Sequence, residues 1–142
     1  MADGFVAKET IAEAPAKVWD YLADFRNADE WMTGVEKMTQ KTPGPLEVGT
    51  RFSFESRGKV RETQVTALDP GERIALTSTQ GGVTATYTYS MSPTDDGTEL
   101  TLEAVCKADG LWKLLHPLIV FAMKKSDASH LSNLKAAMDR RG

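Results

Sequence analysis

Asp127 and His130 stand three residues apart in the stretch SDASHLSNLKAAM near the end of the chain. Residues three apart on a helix are neighbours. A carboxylate beside an imidazole holds the ring in one tautomer, which is how a general base is poised. At a solvent-facing edge the same pair would only keep the helix hydrated, and spacing alone leaves both readings open. The other histidine, His116, is too far away in sequence to share a helical turn with His130, and it is a weaker acid–base candidate. Arg61 and Glu62 are adjacent in KVRETQVTALD, so in a strand one of them must point inward or sit at a rim. Which one does so is left open by the sequence.

No glycine-rich phosphate loop, GxSxG elbow, HExxH or EF-hand pattern accompanies these residues. Cys106 is the only cysteine, which rules out an internal disulfide and a CxxC motif. Its plain reading is a small buried hydrophobe. With two histidines and one cysteine a structural zinc site has no support, and neither a metal nor another cofactor is expected.

Hydrophobic residues make up 41% of the 142 and charged residues 26%, proportions ordinary for a soluble globular protein. The length fits one domain over 1–142. A net charge of -3 offers no overall field to a phosphate backbone, so nucleic acid is not an expected partner. The start, MADGFVAKET, lacks the charged and apolar regions of an export signal. The longest apolar stretch, Pro117 to Met123, is too short to span a bilayer. A cytoplasmic protein, not inserted in membrane and either monomeric or a weak homodimer, is the expectation.

Periodicity supplies the elements that must position the chemistry. Phe5 to Ile11 reads as a strand, and Pro15 opens a helix, PAKVWDYLADF, with Val18, Trp19, Leu22 and Phe25 on one face. A second short helix is expected over Asn27 to Met32, then a strand from Val35 to Thr42 that runs into the breaker PGP. From Gly49 the period is two: GTRFSFESRG, KVRETQVTALD, RIALTSTQ, VTATYTYSMS and ELTLEAVCK are separated by Gly58, DPGE, Gly81-Gly82 and PTDDGT. In VTATYTYSMS one face is apolar and the other all hydroxyl, as in an antiparallel sheet wetted on one side. After Gly110 the period is helical to the C-terminus, with Pro117 expected to kink or divide the helix. This long helix is the only element large enough to cover the sheet.

Five stretches in this order, IAEAPAKVWDYLADFRNADEWM, GPLEVGTRF, DPGERI, DDGTELTLE and HLSNLKAAMD, resemble the START/Bet v 1-like (SRPBCC) superfamily, specifically its polyketide cyclase/dehydrase-like branch. The resemblance implies an α+β helix-grip fold. A curved seven-stranded antiparallel sheet would wrap around a long C-terminal helix, with two short helices between strands 1 and 2 and a ligand cavity between sheet and helix. It carries over no fixed catalytic residues, because the superfamily includes cyclases, lipid carriers and receptors.

Phe52 and Phe54, two apart after the Gly-Pro loop, should then face the concave side with Leu76, Tyr87, Tyr89, Met91 and Leu102. From the helices, Trp31, Trp112, His116, Ile119 and Met123 should complete the cavity wall. Periodicity does not separate a filled core from a cavity, but tyrosine hydroxyls, histidine and Asp127 on this face favour an open space. The expected function is binding or carriage of a small hydrophobic molecule such as a lipid, fatty acid or polyketide-like aromatic. A cyclase or dehydratase using the same cavity is the alternative, and a protein-interaction or co-chaperone-like module the third. Ligand uptake should change the emission of Trp31 and Trp112, expected at one end of the cavity. A Trp31→Phe, Trp112→Phe double variant should lose most of that signal in a fluorescence titration, with Trp19 reporting from the first helix; an unchanged signal would put the ligand elsewhere.

Overall fold

A computed structural model describes residues 4–32, 35–56, 58–80, 82–108, 117–118, 121 and 130–141. Strand β1 (Gly4–Ile11) leads to helix α1 (Pro15–Leu22), a 3-10 turn (Phe25–Asn27) and helix α2 (Ala28–Trp31). Six strands follow: β2 (Glu36–Gln40), β3 (Arg51–Ser56), β4 (Lys59–Asp69), β5 (Arg73–Gln80), β6 (Val83–Thr94) and β7 (Gly97–Ala108). Helix α3 (His130–Arg141) is the last element. The seven strands form one antiparallel sheet in the order β1-β7-β6-β5-β4-β3-β2, so consecutive strands from β2 to β7 are neighbours and β1 closes against β7.

Short turns make this meander possible. Between β4 and β5, Pro70 and Gly71 occupy the centre of a turn closed by Glu72 N–H donating to the Asp69 carbonyl at 2.9 Å. Gly71 has φ of 81° there, which the third position of a type II turn requires. The β5–β6 hairpin pairs Gln80 with Val83, so its two-residue loop holds Gly82 and Gly81, the latter outside the described residues. Where β7 begins, Gly97 passes so close to β1 that a Cβ would run into the Ile11 carbonyl. That crossing is held by the Thr98 hydroxyl, fully buried, donating to the Glu13 carbonyl at 2.7 Å.

One face of the sheet is buried. Along β7, Thr98, Leu100, Leu102, Ala104 and Cys106 are buried in strict alternation, and Ile74, Leu76, Tyr89 and Met91 continue that layer on β5 and β6. The opposite face of β4 to β6 carries hydroxyls that bond one another: Thr66 to Thr77 at 2.9 Å, Thr77 to Thr86 at 3.1 Å and Thr79 to Thr84 at 3.2 Å. Alternation also settles the Arg61 and Glu62 question. Thr63 and Val65 are buried, so Arg61 shares the inner face, half-buried and paired with Phe54 across β3–β4. Glu62 turns out to solvent and meets Lys41 at 3.7 Å.

The ladder shifts register twice, between Val65 and Ala67 on β4 and between Glu36 and Thr39 on the outermost strand β2. Such bulges bend a strand and increase its twist. In β2 the shift places Lys37 at φ 53°, a left-handed conformation rare outside glycine, and its ammonium pairs with Glu55 at 3.1 Å.

Helix α3 packs on β1, β7 and α2 through His130, Leu131, Leu134, Ala137 and Met138, spaced three and four apart, while Ser132, Ala136 and Asp139 face solvent. The helix expected from Gly110 onward is described at 117–118, at 121 and over His130–Arg141, helical in each case. Trp112, His116, Ile119, Met123 and Asp127, all assigned to its inner face from sequence, lie outside the described residues. Among the described residues no helix is long and apolar enough to cross a membrane.

Leu134 is fully buried at the centre of the α3 contact. Leu134→Ala should therefore cost about 2–5 kcal/mol, the range for a leucine truncated in a closed core. Asp139→Asn on the outer face should change stability by about 0.5 kcal/mol or less. Urea unfolding followed by circular dichroism checks both. Equal midpoints for the two variants would mean that α3 does not close the core.

Candidate functional site

Three elements bring the interior polar groups together. The end of α2 carries Trp31, the middle of β6 carries Tyr87 and Tyr89, and α3 carries His130. The tyrosines are two apart on a strand and therefore share the inner face. The Trp31 ring meets Tyr89 edge-on, with centroids 5.4 Å apart and planes at 86°, and it meets His130 at 6.1 Å and 89°. Tyr87 lies tilted against the imidazole, with centroids 6.4 Å apart and planes at 37°. Edge-to-face contacts of this kind favour a defined ring orientation beyond simple burial.

His130 is 4% exposed, and its Nδ1 lies 3.3 Å from the Tyr89 hydroxyl. The solvent-edge reading of this histidine does not hold: it is a buried ring in an aromatic setting. A hydroxyl and an imidazole at this distance share one proton, and the tautomer decides which group donates. Trp31 is 1% exposed, and among the described residues its indole N–H finds no hydrogen-bond partner. Buried donors are nearly always satisfied, so an unmatched one in a native interior calls for a specific explanation. The Asn133 side-chain amide reaches the Trp31 carbonyl at 3.4 Å and ties α3 to α2 at this point.

Of the other residues assigned to the cavity wall, Phe52, Leu76, Met91 and Leu102 are buried, and Phe54 and Tyr87 are half-buried. Phe52 rests on Phe25 of the 3-10 turn, with ring centroids 4.8 Å apart and planes at 59°. It also forms a wall of a partly open cleft of about 140 Å³, bounded by Ala23, Asp24, Phe25, Met38, Gln40 and Leu46. The question posed by the two phenylalanines thus has a divided answer for Phe52, which packs on one side and borders open space on the other. Apart from Phe52, none of the cleft residues was assigned to a site from sequence. Phe25 was legible only as part of the apolar face of the first helix, and Leu46 only as a loop residue after the Gly-Pro breaker.

A family profile described as polyketide cyclase / dehydrase and lipid transport matches residues 4–139. Comparison with curated protein sequences finds no significant match. Among solved structures, MLL2253 from Mesorhizobium loti superposes with a TM-score of 0.75 at 19% identity, covering 97% of this chain and 98% of that one. TTHA0849 from Thermus thermophilus gives 0.72 at 19% identity, over 92% and 93% of the two chains. The di-domain ARO/CYC protein StfQ from the steffimycin biosynthetic pathway gives 0.76 at 15% identity, covering 96% of this chain and 50% of StfQ. This chain therefore spans half the length of StfQ. At these identities the superpositions speak for the fold, while the profile match extends over nearly the whole sequence. The chain belongs to the polyketide cyclase/dehydrase and lipid transport family, of SRPBCC type.

Proposed function

We propose that the protein binds a small, largely apolar molecule between the inner face of the sheet and the C-terminal helix. The observation that carries this reading is the buried Trp31 indole N–H, which points a hydrogen-bond donor into an aromatic interior with no acceptor among the described residues. Leaving such a donor unmet costs about 1–3 kcal/mol. A ligand carbonyl or hydroxyl oxygen would relieve that cost, while Tyr87, Tyr89 and Leu102 would shield its carbon skeleton. Arg61, half-buried beside Phe54 on the same face of the sheet, adds a cationic group for a polar end of the molecule. A lipid, a fatty acid or a polyketide-like aromatic fits this description, and the family's lipid-transport and cyclase members support it. The whole chain acts as one binding domain in this account.

The position of His130 favours a second reading, a cyclase or dehydratase acting on a carbonyl-rich chain. A histidine held by a tyrosine hydroxyl inside an apolar chamber can take a proton from a carbon flanked by carbonyls and return it to a departing hydroxyl. Trp31 would orient the carbonyl that gains charge.

Two measurements separate the readings. Organic-solvent extraction of freshly purified protein, followed by mass spectrometry, should recover an apolar compound in stoichiometric amount. Neither a co-purified compound nor uptake of any member of a lipid and aromatic panel would sink the binding reading. A linear poly-β-ketone thioester surrogate should emerge having lost one water if the enzyme reading holds. His130→Gln should then slow that loss about a hundredfold or more while binding changes only a few-fold. Equal loss of water with and without the protein would leave a binding protein.

A further inference from the structure

The cleft beside Phe52 has a position and a lining of its own. Its walls come from the turn after α1, from β2, from β3 and from the loop between them. Trp31, Tyr87, Tyr89 and His130 do not line it, and no described residue of α3 does. Phe25 and Phe52, packed on one another and nearly buried, border it with a small part of their surface, and Met38 and Leu46 supply soft aliphatic sides. Asp24 and Gln40 are the polar members of the lining. The Gln40 side-chain nitrogen is already committed: it donates to the Thr42 carbonyl at 2.6 Å and to the Gly44 carbonyl at 2.8 Å. It thereby pins the start of the loop that carries Leu46.

We propose that this cleft is a second binding site, distinct from the interior under Trp31, and that it takes one uncharged aromatic ring bearing a hydrogen-bond donor, such as a phenol. Volume is the first argument. An enclosed apolar cavity of about 150 Å³ is large enough to bind benzene, and this partly open cleft, with a volume of about 140 Å³, has room for a ring of that size. Lining is the second. Phe25, Phe52, Met38 and Leu46 make the lining mostly apolar, and the Met38 thioether makes favourable contact with a ring edge. The Asp24 carboxylate sets the polarity. A carboxylate offers about four acceptor sites, so it can meet a phenolic O–H besides its existing contacts and repels a ligand carboxylate. The loop pinned by Gln40 preorganises the mouth, which lowers the ordering cost of binding.

The test uses the whole chain labelled with ¹³C in its methionine methyl groups and titrated with phenol, benzene and benzoate. Phenol should move the Met38 methyl resonance upfield in a saturable way, by the ring current, while Met91 and Met138 stay in place. Benzoate should bind at least tenfold more weakly than phenol. At ten times the dissociation constant, phenol should raise Tm by about 3–5 °C. Leu46→Trp fills the opening from a half-buried loop position and should abolish the Met38 shift. Trp31→Phe should leave that shift unchanged, which distinguishes this site from the interior one even if the proposed function fails. An absent Met38 shift with phenol overturns the proposal, as does a shift that survives Leu46→Trp. So does competition between phenol and a larger apolar ligand bound under Trp31, because the two spaces would then be one.

Discussion

The twelve-residue pairing of β6 with β7 is the constraint on which the rest of the structure depends. Its register, from Val83 opposite Ala108 to Thr94 opposite Gly97, is unbroken. With a side-chain period of two, that register sends Tyr89, Met91, Leu100 and Leu102 to one side and the threonines of β6 to the other. A slip by one residue would turn one strand over relative to the other and present either its tyrosines or its leucines to water. Once this pair is fixed, α3 has an apolar floor to lie on and β1 has an edge to join. The Tyr89 hydroxyl then lands beside His130 of that helix. The polar chemistry of the interior is a by-product of a packing decision made along the strands.

Much of this was legible in the sequence. The alternation in VTATYTYSMS and ELTLEAVCK, the DPGE turn and the double glycine locate three of the strand connections, and the inner set from Phe52 to Leu102 follows from parity. The placement of Arg61 was not legible, because KVRETQVTALD has apolar residues on both parities after Val65. The bulge between Val65 and Ala67 is the reason. A bulge resets the count, and nothing in the local composition announces it. The burial of His130 was also beyond a periodic reading. A histidine fits the inner or the outer stripe of a helix equally well, and the deciding partners, Trp31 and Tyr89, lie far away in the chain.

The interior is chemically uneven. Toward β7 and α1 it is a closed hydrocarbon core, in which Val18, Leu22, Ile11, Leu100 and Leu134 are fully buried. Toward α2 and β6 it turns aromatic and carries an indole, a phenol and an imidazole within contact of one another. The first region supplies the stability that lets the second hold groups that would prefer water. The clustering of polar groups at one end of a well-packed core is what a binding interior requires, since solvent-excluding walls strengthen every remaining dipole.

The shape of β2 has a consequence for how these molecules behave in company. An outermost strand offers a free row of backbone donors and acceptors to any other strand that drifts against it. Here that strand is five residues long, its register is broken, and Lys37 sits near its start in a left-handed conformation with a charged side chain. A foreign strand would find no run of evenly spaced partners and would have to bury an ammonium. Crowded copies of this protein are thereby kept from zipping into a continuous ribbon at this border, and the sheet ends where the chain ends it.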